Sequence, residues 1–171
     1  MSVTSENRRV AKHIRKKLAI IVRATGGQVA ERRGSGGKTV SKYSWLTDKG
    51  PHQFVMIWHS SVSDRNYAQK VIVDVKKKLS DVPGLSLERS KGKSAIAVYS
   101  ESAAEYAGRF SLQTPSPEIF LVRHFIRFLN AINASMDFER SPSRLQRLVN
   151  RLDAKVHFRT AYRAFKKGWY W

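Results

Sequence analysis

The charge of this chain is one-sided and unevenly placed. Its 171 residues hold 32 Lys and Arg against 13 Asp and Glu, a formal net charge of +19. Residues 1–24 carry +6, residues 141–171 carry +7, and the 116 residues between them carry only +6. Self-repulsion of this size opposes compaction unless the charge stays at the surface, where a polyanion can neutralise it and release counterions. Whatever fold forms must therefore bury the apolar sides of its two ends and leave their cations outside.

A core is available. The hydrophobic fraction of 42%, with 8 Phe, 6 Tyr and 4 Trp, excludes a disordered basic tail. The length suits one domain, or one domain with a helical extension. Cysteine is absent, which removes disulfides, thiolate zinc sites and cysteine nucleophiles. The longest uncharged stretch near the start, Leu18 to Val22, is too short for a signal peptide or membrane span. The expectation is a cytoplasmic protein, or one held within a nucleoprotein particle, with no membrane partner. The basic, amphipathic, acid-poor first segment also resembles a mitochondrial presequence, so organelle import is the alternative.

Ser5 precedes Val10, Ile14, Leu18, Ile21 and Val22, which recur at three- and four-residue steps and predict an amphipathic helix to Ala24, stopped by Gly26-Gly27. Its other face carries Arg8, Arg9, Lys12, Arg15, Lys16 and Arg23, interrupted only by Glu6. A solvated surface normally mixes signs, so this row is read as a polyanion contact. Three strands are expected near 28–33, 38–46 and 53–60, with turns at Arg33 to Gly37 and at Asp48 to Pro51. Asp64 is expected to cap a helix running to Leu79, and two short strands (85–89 and 94–99) and a brief helix (101–108) follow.

After Pro115, Pro117 opens a helix to Asn133 that is apolar nearly all round, with a narrow polar arc of Arg123, Arg127 and Asn130. Ser141-Pro142 opens the last helix, for which Leu145, Leu148, Val149, Leu152 and Val156 read as the docking side. Arg144, Arg147, Arg151, Lys155 and Arg159 read as the solvent side. The fold class expected is α+β: a small antiparallel sheet packed with helices over residues 1–110, then a helical hairpin with a basic aromatic tail over 111–171.

Arg32 to Thr39 reads RRGSGGKT and ends like a phosphate-binding P-loop. Arg32 stands where that motif needs Gly, and a strand follows where it needs a helix, so a basic β-turn is the better reading, with Arg32, Arg33 and Lys38 placed to meet a phosphodiester backbone. The order helix, three strands, helix over 5–80 resembles the double-stranded RNA-binding domain in topology alone. Lys76-Lys77-Lys78 lie at the far end of the second helix, so no functional residue carries over.

His13, His52, His59, His124 and His157 lack metal-pair spacing, and no cofactor is expected. Arg163, Lys166 and Lys167 alternate with aromatics at the C-terminus. Phe158 and Phe165 read as core, whereas Trp169, Tyr170 and Trp171 stay open between packing and stacking on unpaired bases.

Together these features lead to the expectation of a non-catalytic protein that binds DNA or RNA through its terminal helices and glycine-rich turn. A structural subunit of a nucleoprotein particle, ribosome-like or from a virus or phage, is the second reading, with protein contacts or self-association through the C-terminal helices. A metal-dependent nuclease built on Asp74 with Asp48 or Glu88 is the third.

Overall fold

The computed structural model describes residues 3–61, 63–85, 117–136 and 143–168. The expected strands at 85–89 and 94–99, the helix at 101–108, Glu88 and the Trp169 to Trp171 tail fall wholly or mainly outside those residues. The described elements are α1 (Val3–Ala24), β1 (Gln28–Arg33), β2 (Thr39–Thr47), β3 (Gly50–Trp58), α2 (Tyr67–Ser80), α3 (Pro117–Ser135) and α4 (Arg144–Lys166). The class is α+β, with a three-stranded antiparallel sheet in the order β1-β2-β3 and α3 packed along α4 as a hairpin.

Strand alternation sorts the sheet into two faces. Tyr43, Trp45, Phe54, Met56 and Trp58 point inward and are buried, while Val55 and Ile57 alternate with them and are exposed. The inner face packs on α1, whose Val10, Ile14, Leu18, Ile21 and Val22 are buried as their spacing predicts. α1 is the central element: one hydrophobic cluster joins it to the sheet, α2, α3 and Phe158 of α4. The hairpin therefore shares the core of the first half of the chain.

The turn between α1 and β1 depends on a close approach. A Cβ on Gly27 would lie 2.7 Å from both Trp45 Nε1 and Val22 Cγ1, so no larger residue fits. Trp45 Nε1 donates to Thr25 Oγ1 at 3.0 Å across the same junction. The second sheet turn is tighter than expected. Only Asp48 and Lys49 lie outside the strands, and Pro51 sits in β3. Among the described residues β3 is an edge strand, the position where a strand tolerates proline.

Asp64 does not cap α2 as expected. It accepts from the Asn66 N–H at 2.8 Å and pairs with Lys70 at 2.5 Å, contacts that hold its carboxyl below the usual range, Lys70 contributing most. The first turn of α2 is met instead by Asn7 of α1, fully buried, whose Oδ1 accepts from the Ala68 N–H at 2.9 Å and whose Nδ2 donates to the Arg65 carbonyl at 2.9 Å. This long-range cap ties two helices through residues 61 apart in sequence. Replacing Asn7 with Ala strands a buried N–H and a carbonyl at once. The expected loss is about 2–3 kcal/mol, read as a lowered urea midpoint.

The largest departure is the orientation of α4. Leu145, Leu148, Val149, Leu152 and Val156 are not its docking side; they are 70%, 51%, 39%, 49% and 58% exposed. Ala154, Phe158 and Ala161 face the core instead. The helix carries two apolar stripes, and only one can face α3. The aromatic one wins because two alanines let the helices approach while Phe158 fills the space beside Phe125 and Phe128, with ring centroids at 6.0 and 5.7 Å. Arg147, Arg151 and Lys155, read from sequence as solvent-facing, are consequently half-buried.

Candidate nucleic-acid interface

Because α1 is docked by its apolar stripe, its outer arc is fixed. With a helical repeat of about 3.6 residues, Arg15, Arg8 and Lys12 lie toward the sheet, Lys16 and Arg9 along the crown, and His13, Glu6 and Lys17 toward α4.

On the α4 side the basic residues of the two terminal helices meet. Arg151 pairs with Glu6, and its Nε donates to Ser135 Oγ at 3.2 Å. Lys155 Nζ donates to His13 Nε2 at 3.3 Å, and Lys17 Nζ lies 4.8 Å from the centroid of Phe158. Turning α4 by its aromatic stripe thus brings Arg151 and Lys155 against α1. Burial first, then Lys155, Lys17, Lys16 and Arg9, push the His13 imidazole down to about 4, so it is neutral at pH 7 and accepts from Lys155. The Lys17 ammonium is lowered by burial and then by Arg159 and Lys155. The Lys155 ammonium is lowered by burial and then by Arg151, Arg9 and Arg159. Like charges are held together here in excess of the Glu6 carboxylate that answers them.

A second half-buried imidazole, His124 of α3, is also pushed down to about 4, by burial and then by Arg127, Arg123 and His157. Both histidines are neutral in the folded chain while their unfolded counterparts take up protons near pH 6.5. Protonation therefore favours the unfolded state as pH falls below about 6.5, and the stability linked to each histidine is lost progressively toward pH 4. The urea midpoint is expected to drop between pH 7 and 5, where carboxylates stay largely ionised. Replacing His13 and His124 together with Gln should flatten that slope.

On the sheet side, α1 forms one wall of a concavity of about 670 Å³. Arg8, Arg9, Lys12 and Arg15 line that wall; Gly37 and Thr39 of the β1–β2 turn and Trp58, His59 and Ser60 at the end of β3 line the other. Arg8 donates to the Ser60 carbonyl at 3.0 Å, and Arg15 Nε lies 3.4 Å from Glu31, which accepts from Ser41 Oγ at 2.9 Å. Arg9 and Lys12 have no ion pair or hydrogen bond among the described residues. The turn itself is a β-turn, not a P-loop: Ser35–Gly37 forms a single short turn, with Gly36 and Gly37 at φ of 65° and 72°, and leads into β2. Gly37 is favoured by its positive φ, and a Cβ there would also push Ser60 Oγ, 2.8 Å away, aside.

The turn's cations divide between the faces of the sheet. Arg33 pairs with Thr39 in the row that ends on Trp58, on the α1 side, whereas Arg32 pairs with Val40 in the row of exposed Ile57, on the far side. Lys38 is exposed beside Gly37. Arg144 opens α4, and Arg147, Arg151 and Lys155 follow on its inner side. Arg159 and Arg163 are exposed, and Lys166 Nζ lies 4.9 Å from the Tyr162 centroid. Lys167 closes the helix through its N–H, so the last-turn cations also oppose the negative end of the helix dipole. Lys166 stands 11 residues beyond Lys155, about 16 Å along the helix from the seam.

Two of the three lysines in the α2 run are occupied structurally, and Lys77 is exposed. Lys76 donates to Asn130 Oδ1, and Lys78 pairs with Asp74 at 3.1 Å and donates to the Val55 carbonyl at 2.8 Å. Among the described residues no group of three or more His, Asp or Glu is placed to hold a metal, and no helix is long and apolar enough to cross a membrane. Lys17, His13 and His59 are members of the surface that periodicity did not single out. Lys17 and His13 border the apolar stripe of α1, and only the position of α4 gives them their role.

Comparison with protein-family models, with characterised proteins and with solved structures finds no match to this chain.

Proposed function

We propose that the protein is a non-catalytic nucleic-acid-binding protein whose phosphate contacts run across α1, from the β1–β2 turn on one side to α4 on the other. The observation that carries this reading is the crowding of cations from both terminal helices around α1, where burial and mutual repulsion lower Lys17, Lys155 and His13. A fold keeps like charges at such separations at a free-energy cost, and neutralisation by phosphate relieves it. Arg8, Arg9, Lys12, Arg15, Lys16, Lys155 and Arg159 form the centre of the band. Arg33, Lys38 and Arg147 flank it, Arg163, Lys166 and Lys167 extend it, and Arg32 lies off it. Binding of purified protein to labelled single- and double-stranded DNA and RNA at two salt concentrations, with release of label followed, tests both halves of the proposal. Salt-insensitive binding removes the phosphate contacts, and label release makes the protein a nuclease.

One observation favours the second reading, a structural subunit of a nucleoprotein particle. The outward stripe Leu145, Leu148, Val149, Leu152 and Val156 is apolar and uncovered, the kind of surface that contacts protein. Sedimentation with and without nucleic acid distinguishes a monomeric binder from an assembling one.

A further inference from the structure

The concavity beside α1 has features that a phosphate alone does not require. It is an open groove of about 670 Å³, with room for one nucleotide on its floor. Its walls differ in chemistry. The α1 wall is cationic, and two of its cations are already fixed, Arg8 to the Ser60 carbonyl and Arg15 to Glu31, which leaves Arg9 and Lys12 as the open donors. The opposite wall carries hydroxyls, glycine backbone and two aromatic residues, of which Trp58 is buried and only one presents an exposed ring.

That ring is His59. It is exposed, and Tyr67 packs against it in a T-shaped pair, with centroids 5.7 Å apart and planes at 84°. The His59 backbone N–H donates to the Tyr67 hydroxyl at 3.0 Å, which ties the end of β3 to the first residue of α2. In such a pair one ring's edge meets the other's face, so Tyr67 covers at most one face of the imidazole and leaves at least one open. An exposed aromatic face opposite paired cations is the arrangement by which proteins hold an unpaired base, stacked on the ring with its phosphate on the basic wall. A base inside a duplex is already stacked on both faces and cannot use it.

We propose that this concavity receives one unpaired nucleotide of a single strand, its phosphate held by Arg9 and Lys12 and its base against the His59 ring. The inference rests on the nucleic-acid reading above and narrows it to single strands, or to duplexes with a loop or frayed end.

The test is fluorescence anisotropy with a labelled single-stranded oligonucleotide, the same strand made fully abasic, and the matching duplex. Wild type, His59→Ala, His59→Phe and Arg9→Ala/Lys12→Ala are compared, with circular dichroism as the check on folding. His59→Ala is expected to weaken binding of the intact strand about ten-fold or more and to leave the abasic strand unchanged, while His59→Phe retains the wild-type affinity. Arg9→Ala/Lys12→Ala should weaken both strands. Equal weakening of intact and abasic strands by His59→Ala, or tighter binding of the blunt duplex than of the strand, overturns the stacking site while leaving phosphate binding standing. Wild-type protein that binds none of the three probes overturns the nucleic-acid reading itself.

Discussion

Polyanion affinity is expected to fall by about three to five decades between roughly 50 and 200 mM salt, the loss that follows from neutralising about six to ten phosphates. The centre of the band supplies that number of cations without the C-terminal turn. Substitutions should therefore divide by position. Removing Arg9, Lys12 and Lys16 together is expected to lower the slope of log affinity against log salt by about three, one for each phosphate no longer neutralised. Removing Arg32, on the far face of the sheet, should leave slope and affinity unchanged. Titrations by anisotropy at four or five salt concentrations measure both. A flat salt response, or an Arg32 effect equal to that of the α1 cations, would mean the band is only a solvated surface.

The second large effect is on stability. Phe158→Ala is expected to cost about 3–5 kcal/mol, because it empties a site enclosed by Phe125 and Phe128 and removes the ring under Lys17. Leu145→Ala, on the uncovered stripe of the same helix, should stay within about 0.5 kcal/mol of wild type. Urea denaturation of the two variants is thus a direct measurement of which way α4 faces. The reverse order of effects would place the aliphatic stripe inside. Phe158→Ala should also weaken polyanion binding with little change in salt slope, since it loosens the docking that sets Lys155 beside α1 and removes no cation.

These two experiments address different properties of one arrangement. A helix docked by an apolar stripe presents its remaining residues as a rigid row, so the entropy of ordering long side chains is partly met on folding. Had the α4 aliphatic stripe docked, its basic row would have faced solvent away from α1, and the ends of the chain would have formed two separate charged surfaces. The aromatic stripe instead joins them into one seam, relieved locally by the Glu6 carboxylate and by the neutral His13.

Local pattern was enough for much of this protein. The amphipathic helix ending at Ala24, the strands at β1 to β3, the glycine-rich turn and the nearly buried α3 each follow from a period, a cap or a breaker within a few residues, and so does the concentration of charge at the ends. Tertiary packing decided the rest. Which stripe of α4 is inside depends on the shape complementarity of Phe158 with α3, and the cap of α2 depends on Asn7, far away in sequence. His59 becomes a candidate base platform only because β3 ends beside α1, where its ring packs against Tyr67. Sequence periodicity reports which faces a helix has; it carries no information on which partner each face will meet, because that choice is made by packing between elements distant along the chain.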